Sequence, residues 1–166
     1  MTTSAAPAPP ARTPLLQSVV DAFHRGDPDV HRKQAEQANV RRLADDMYAA
    51  FLRGDLDALL AGPAEDVDWQ VVGPPSIPFA GAVRGRKAVR GLLEKSFATL
   101  EDQMPEVLDV AAQGDAVMVL ARETGRFKPT GRTYEVHWVQ VFTFRGGKVV
   151  KFREYADTAA MLQAVE

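Results

Sequence analysis

From residue 105 onward apolar and polar side chains alternate with period two, whereas before residue 100 apolar positions recur every three or four residues. The first pattern belongs to half-buried strands and the second to amphipathic helices. Four strands are predicted over 105 to 112, 115 to 127, 132 to 145 and 148 to 156, divided by Gln113-Gly114, Pro129 to Gly131 and Gly146-Gly147. Upstream, Leu15, Val19, Ala22 and Phe23 set a helix that Gly26 and Pro28 interrupt. A second helix runs from Pro28 or Asp29 to Arg53 with a stripe of Val40, Leu43, Met47, Ala50 and Phe51. A short helix follows over Leu56 to Leu60, and another over Arg86 to Leu100 turns Val89, Leu92, Leu93 and Phe97 inward. VDWQVV at 67 to 72 is a fifth strand, while the prolines and glycines of GPPSIPFAGAVRG at 73 to 85 predict a loop without regular structure.

Helices first and an antiparallel meander afterwards predict an α+β fold, a curved antiparallel sheet wrapped around the N-terminal helices. A sheet curled in this way leaves a concave, mostly apolar pocket. Residues 1 to 14, nearly all Ala, Pro and Thr, are expected to form a disordered tail; 15 to 39 form a helical extension and 40 to 166 one domain. AFHRGDPDV at 22 to 30 echoes AFLRGDLDA at 50 to 58, which either helix-capping chemistry or a duplicated unit would explain.

Composition narrows the functional classes. With 46% hydrophobic and 25% charged residues and a formal charge of -2, the chain has no electrostatic footprint for nucleic acid. It has no cysteine, and no apolar run long enough for a membrane span. The N-terminus lacks the pattern of a signal peptide, so the expected location is cytoplasmic. No phosphate loop, nucleophile elbow or dinucleotide fingerprint occurs, and no cofactor is expected. His24 and His31 have no ligand spacing, and no metal is expected.

Sorting side chains by face brings out candidate chemistry. Val150, Phe152 and Glu154 share one face of the last strand, Val136, Trp138, Gln140 and Phe142 one face of the strand before, and Val119, Ala121 and Glu123 one face of an earlier strand. With the large aromatics inward, Trp138, Phe142 and Phe152 form a wall in which Glu123, Gln140 and Glu154 are the polar groups, joined by Trp69 and Val71. Two glutamates in such a wall repel each other and are poorly solvated, so at least one holds its proton above the usual range. Alternatively Glu154 pairs with an arginine, Arg122, Arg126, Arg132 and Arg153 all lying in the β half. His137 falls on the opposite face, at the sheet surface or an interface, and Arg84, Arg86, Lys87 and Arg90 make a solvated or anion-binding run.

FLRGDLDALL at 51 to 60, AEDVDW at 64 to 69, FAGAVRGRKAV at 79 to 89, TGRTYEV at 130 to 136 and FRGGKVVKFREYADTAAM at 144 to 161 together resemble the SnoaL-like branch of the NTF2-like superfamily. That group includes ketosteroid isomerases, polyketide cyclases and limonene epoxide hydrolases. The resemblance implies an NTF2-like cone with a ligand pocket, commonly paired as a homodimer through the outer sheet face. Against the epoxide hydrolases, Glu123 and Glu154 fall at the two carboxylate positions, Ala121 at the arginine, Trp69 at the tyrosine and Val71 at the asparagine. Against the isomerases, Val71 lies near the base aspartate, Met47 and Tyr48 near the catalytic tyrosine and Gln140 near the protonated aspartate.

Two functions follow as expectations. One is acid-base chemistry without a cofactor, of isomerase, cyclase or hydrolase type, on a small apolar cyclic molecule. Glu154 and Glu123 would transfer protons, Gln140 orient an oxygen, and Trp69, Val71, Trp138, Phe142, Phe152, Tyr48 and Met47 bind the substrate. The other is a non-catalytic ligand-binding or dimerisation module of the same fold. Neither involves nucleic acid or a membrane.

Overall fold

The computed structural model of the chain describes residues 30 to 166. The expected tail, most of the helical extension and His24 lie outside the described residues. Helix α1, Val30–Arg41, passes without a break into a π-helical stretch, Arg42–Tyr48, and then into α2, Ala49–Leu52. This single run crosses residues 39 and 40. The anticipated stripe is its packing face: Val40, Leu43, Met47 and Ala50 are buried, and Phe51 is half-buried. In the π-helical stretch the Ala49 N–H donates to Ala44 O, five residues back. This wider turn is frequent at functional sites.

Helix α3, Leu56–Ala61, starts at Asp55, whose side chain accepts from the Ala58 N–H at 3.0 Å. Strand β1, Pro63–Val72, follows, then the edge strand β2, Gly81–Arg84, helix α4, Arg86–Thr99, and four long strands. These are β3, Leu100–Gln113, β4, Ala116–Phe127, β5, Arg132–Arg145, and β6, Lys148–Ala156. They join in the order β2-β1-β6-β5-β4-β3 as one curved, unclosed sheet. Every neighbouring pair is antiparallel except β1 with β6, which is parallel. The helices lie over the concave face, and the core forms between them and the sheet. Among the described residues no helix is long and apolar enough to cross a membrane.

Four expectations need correction. The segment 73 to 85 contains regular structure after all: its prolines end at Pro78, which leaves Gly81–Arg84 free to pair with Val71 to Asp68. Strand β3 begins at Leu100 rather than 105, and as an edge strand it tolerates Pro105 within it. In β6 the inward residue is Val149, fully buried, and not Val150. A register shift between Thr143 and Phe144 leaves Val150 as an extra residue, so Phe152 and Glu154 keep their face while the alternation slips upstream. Finally, a helix α5, Thr158–Val165, closes the chain, capped by Asp157, which accepts from Ala160 N–H at 3.1 Å.

Candidate functional site

Period two holds without interruption along the inner faces of β4 and β5. Val117, Val119, Ala121 and Glu123 are buried on one strand, and Tyr134, Val136, Trp138 and Phe142 on the next. Arg122 and His137 face outward. Between this concave surface and the helices lies a cavity of about 130 Å³. It is lined by all ten residues singled out above: Met47, Tyr48, Trp69, Val71, Glu123, Trp138, Gln140, Phe142, Phe152 and Glu154. A cavity of roughly 150 Å³ holds a benzene ring, so this space suits a single-ring molecule.

The aromatic wall is continuous. Trp69 stacks on Phe152 with ring centroids 3.8 Å apart, and Phe152 meets Phe142 edge to face at 5.0 Å. The register sets Trp69 beside Phe152 and Val71 beside Glu154, which makes Trp69 a close neighbour of Glu154 on the same face. The Trp69 Nε1–H is buried with no hydrogen-bond partner among the described residues.

Among the described residues Glu154 has one hydrogen-bonding neighbour. Gln140 Nε2 donates to Glu154 Oε2 at 2.6 Å, and the Tyr48 hydroxyl donates to Gln140 Oε1 at 2.6 Å. Gln140 is therefore committed on both sides of its amide and acts chiefly to hold Glu154. Burial pushes the Glu154 carboxyl up to about 7; the Gln140 hydrogen bond opposes this, and the charge of Glu123 adds to it. Of the two causes expected from the sequence, poor solvation is thus the larger and repulsion between the glutamates the smaller. Burial, followed by the charge of Glu154, raises the Tyr48 phenol well above its ordinary range.

None of the four arginines weighed as partners of Glu154 pairs with it. Arg153 bonds Asp68 at 2.5 Å, and that hydrogen bond lowers the Asp68 carboxyl. Arg122 bonds Glu106 at 2.5 Å, Arg126 pairs with Glu101, and Arg132 donates to the Gln163 carbonyl at 3.0 Å. The three arginines of the basic run at the start of α4 are likewise balanced, Arg84 by Asp66, Arg86 by Glu65 and Arg90 by Asp57.

Glu123 is held quite differently. The Tyr134 hydroxyl donates to its Oε1 at 2.7 Å, Gln103 Nε2 donates to the same oxygen at 3.0 Å, and Trp138 Nε1 donates to Oε2 at 3.3 Å. Two local irregularities make this possible. Gly125 pairs with Tyr134 across the strands, and a Cβ on Gly125 would sit 2.4 Å from the Tyr134 hydroxyl. Only glycine lets the ring lie over β4 and reach Glu123. Opposite, Asp102 and Gln103 form a bulge between Glu101 and Met104, with Asp102 at φ 54°, and the bulge directs Gln103 onto the carboxylate. Burial, with the Glu123 charge, pushes the Tyr134 phenol beyond its usual range.

Sequence reasoning missed Tyr134, Gln103 and the α5 contribution of Thr158 and Met161 to the cavity. The signal for Tyr134 was present: a glycine inside a strand, opposite an aromatic residue. No comparable signal marks a two-residue bulge at a sheet edge.

The SnoaL-like domain family profile matches residues 44–152. No curated protein matches the chain. Among solved structures, an NTF2-like protein from Burkholderia xenovorans LB400 is 42% identical with a TM-score of 0.71, the match covering 79% of this chain and 98% of that one. A SnoaL-like polyketide cyclase candidate from Jannaschia sp. CCS1 is 23% identical with a TM-score of 0.69, over 84% and 97% of the two chains. A candidate isomerase from Rhodopseudomonas palustris is 20% identical with a TM-score of 0.66, over 76% and 94%. These last two likenesses are of fold. The matched profile, the near-complete overlap with a 42% identical NTF2-like protein and the six-stranded open sheet make this chain a member of the SnoaL-like domain family within the NTF2-like fold.

Proposed function

We propose that the protein carries out acid-base chemistry on a small, apolar, single-ring substrate, with Glu154 as the group that takes up and returns the proton. The observation that carries this reading is the setting of Glu154: a carboxyl desolvated by an aromatic wall, fixed by one amide and titrating near neutrality. A group with a pKa close to the working pH populates both its forms, which general acid-base catalysis requires. In an isomerisation the Glu154 carboxylate removes a proton from carbon next to a carbonyl, leaving an enolate, and the same carboxyl returns that proton to another carbon. An isomerisation of this kind also requires a group that faces the developing oxyanion. The test is turnover of an identified ring ketone by Glu154→Gln, an isosteric change that removes the titrating group. Unchanged turnover would refute the reading.

One observation favours a second reading, a pocket that holds a molecule without converting it. By the resemblance to epoxide hydrolases, Ala121, Trp69 and Val71 fall where those enzymes carry an arginine, a tyrosine and an asparagine, so water activation by that constellation is missing. A ligand recovered intact after long incubation with the pure protein would support it.

Pairing of two copies through the outer sheet face is a further part of the proposal. Leu120, Val139 and Tyr155 lie side by side across β4, β5 and β6 on that face, Leu120 and Tyr155 being exposed. A contiguous apolar row open to water favours association. Light scattering should give twice the chain mass for the wild type and the single-chain mass for Leu120→Lys.

A further inference from the structure

Glu123 poses a question that proton transfer by Glu154 leaves unanswered. It is a buried carboxylate, 8% exposed, whose negative charge raises both Tyr134 and Glu154, and among the described residues no lysine, arginine or histidine pairs with it. Buried charges are costly unless a countercharge accompanies them, and the hydrogen bonds here supply only part of that compensation. A carboxylate offers about four lone-pair positions. Tyr134 and Gln103 occupy both on Oε1, while Oε2 receives only Trp138, at 3.3 Å. One acceptor position of Oε2 therefore remains, on a residue that lines the cavity. Around it the walls are aromatic and aliphatic, which suits a hydrocarbon body, and aromatic faces attract cations.

We infer that Glu123 is the anchor for a ligand's ammonium group, so that the cavity takes small ring compounds bearing a protonated amine. This deepens the proposed function, because it rests on the cavity being the ligand site, and it adds one charged group to the otherwise apolar ring. The work is divided between the two carboxyls. Glu154, paired with Gln140, which lies four residues beyond Val136, the β5 partner of Glu123, stays free for proton transfer. Glu123, its orientation fixed by three donors, binds the cation and sets which end of the ligand enters first.

Three probes of similar shape test this: toluene, benzyl alcohol and benzylammonium, titrated against the full chain at pH 7.5 by calorimetry. Toluene reports apolar burial alone, the alcohol adds a donor, and the ammonium adds charge. The expected result is benzylammonium binding at least tenfold more tightly than benzyl alcohol, with Glu123→Gln abolishing that difference. If Glu123→Gln does not fold, the wild type still decides. Bound benzylammonium cancels the Glu123 charge and should move the Glu154 titration down from about 7, read by carboxyl-carbon NMR, whereas bound toluene should not. Equal affinity for the ammonium and the alcohol, a preference that survives Glu123→Gln, or a Glu154 titration that ignores the ammonium would each overturn the inference while leaving acid-base chemistry by Glu154 intact. Failure of all three probes to bind would overturn both.

Discussion

Glu123 and Glu154 are the same side chain on the same concave face, on the two strands that flank β5, yet their surroundings make them different reagents. Among the described residues Glu123 has three hydrogen-bond donors and Glu154 has one. The first environment replaces part of the water that a charged carboxylate loses on burial. The second replaces little of it, so the proton becomes the cheaper companion and the group titrates near 7. The number of donors aimed at a carboxyl, more than the mere fact of burial, separates an anion-bearing anchor from a proton carrier.

Removal of the proton carrier has the largest expected effect. Glu154→Gln should lower turnover by about 10² to 10⁴-fold, the range for a positioned acid-base group. It should also change how stability depends on pH. The Glu154 carboxyl titrates at about 7 in the folded chain against 4.5 for the free side chain. Below pH 4.5 both states hold the proton and nothing is lost. Between 4.5 and 7 the unfolded chain releases it while the folded chain keeps it, so stability falls as pH rises, by on the order of 3 kcal/mol in all, and then levels off. Urea unfolding at pH 5 and pH 8 should show this loss in the wild type and not in Glu154→Gln. A parallel pH dependence in the two proteins would remove desolvation as the cause.

On the anchor side the largest effect should come from a residue that touches no ligand. Elsewhere in a strand, Gly→Ala tends to stabilise through the unfolded chain. At Gly125 the added Cβ would collide with the Tyr134 ring, and Gly125→Ala should cost about 2 to 4 kcal/mol through overpacking and the lost hydrogen bond to Glu123. In a Tyr134→Ala background the same change should cost almost nothing. Denaturation of the four proteins of this cycle measures the coupling, and simple additivity would mean that Gly125 is not kept for Tyr134.

This pair also shows where the sequence was legible and where it was not. The faces of β4 and β5 could be read because alternation runs unbroken from Val117 to Glu123 and from Tyr134 to Phe142, and it placed both glutamates, Gln140 and the aromatic wall on one cavity. Bulges defeat that kind of reading. One exchanged Val150 for Val149 in β6, and another brought Gln103 to Glu123 from a part of the edge strand upstream of its expected start at 105. Helix α5 escaped notice because eight residues at the end of a chain carry little periodicity. A raised carboxyl was expected for at least one of the two glutamates, from repulsion and poor solvation together, but which of them and which cause dominates depends on the walls and donors around each.

The anchor can next be weakened without disturbing its packing. Tyr134→Phe keeps the ring over Gly125 and deletes one of the three donors to Glu123. Its expected cost is about 1.5 to 3 kcal/mol, the scale for a hydrogen bond to a charged group, measured by urea unfolding at pH 8. A loss well below that would mean that Gln103 and Trp138 suffice to hold the carboxylate.

The smallest effect is the most diagnostic of how Glu154 is held. Tyr48→Phe leaves Glu154 untouched and removes only the hydroxyl that fixes the far end of the Gln140 amide. Once that amide can turn, its donation to Glu154 weakens, and this hydrogen bond is the interaction that holds the carboxyl down against burial. The Glu154 titration should therefore move upward from about 7 by a fraction of a unit, with a stability loss near 1 kcal/mol. A downward shift would mean that loss of the hydroxyl lets water reach the carboxyl, and that solvent access through the π-helical stretch, rather than the Gln140 amide, governs its proton.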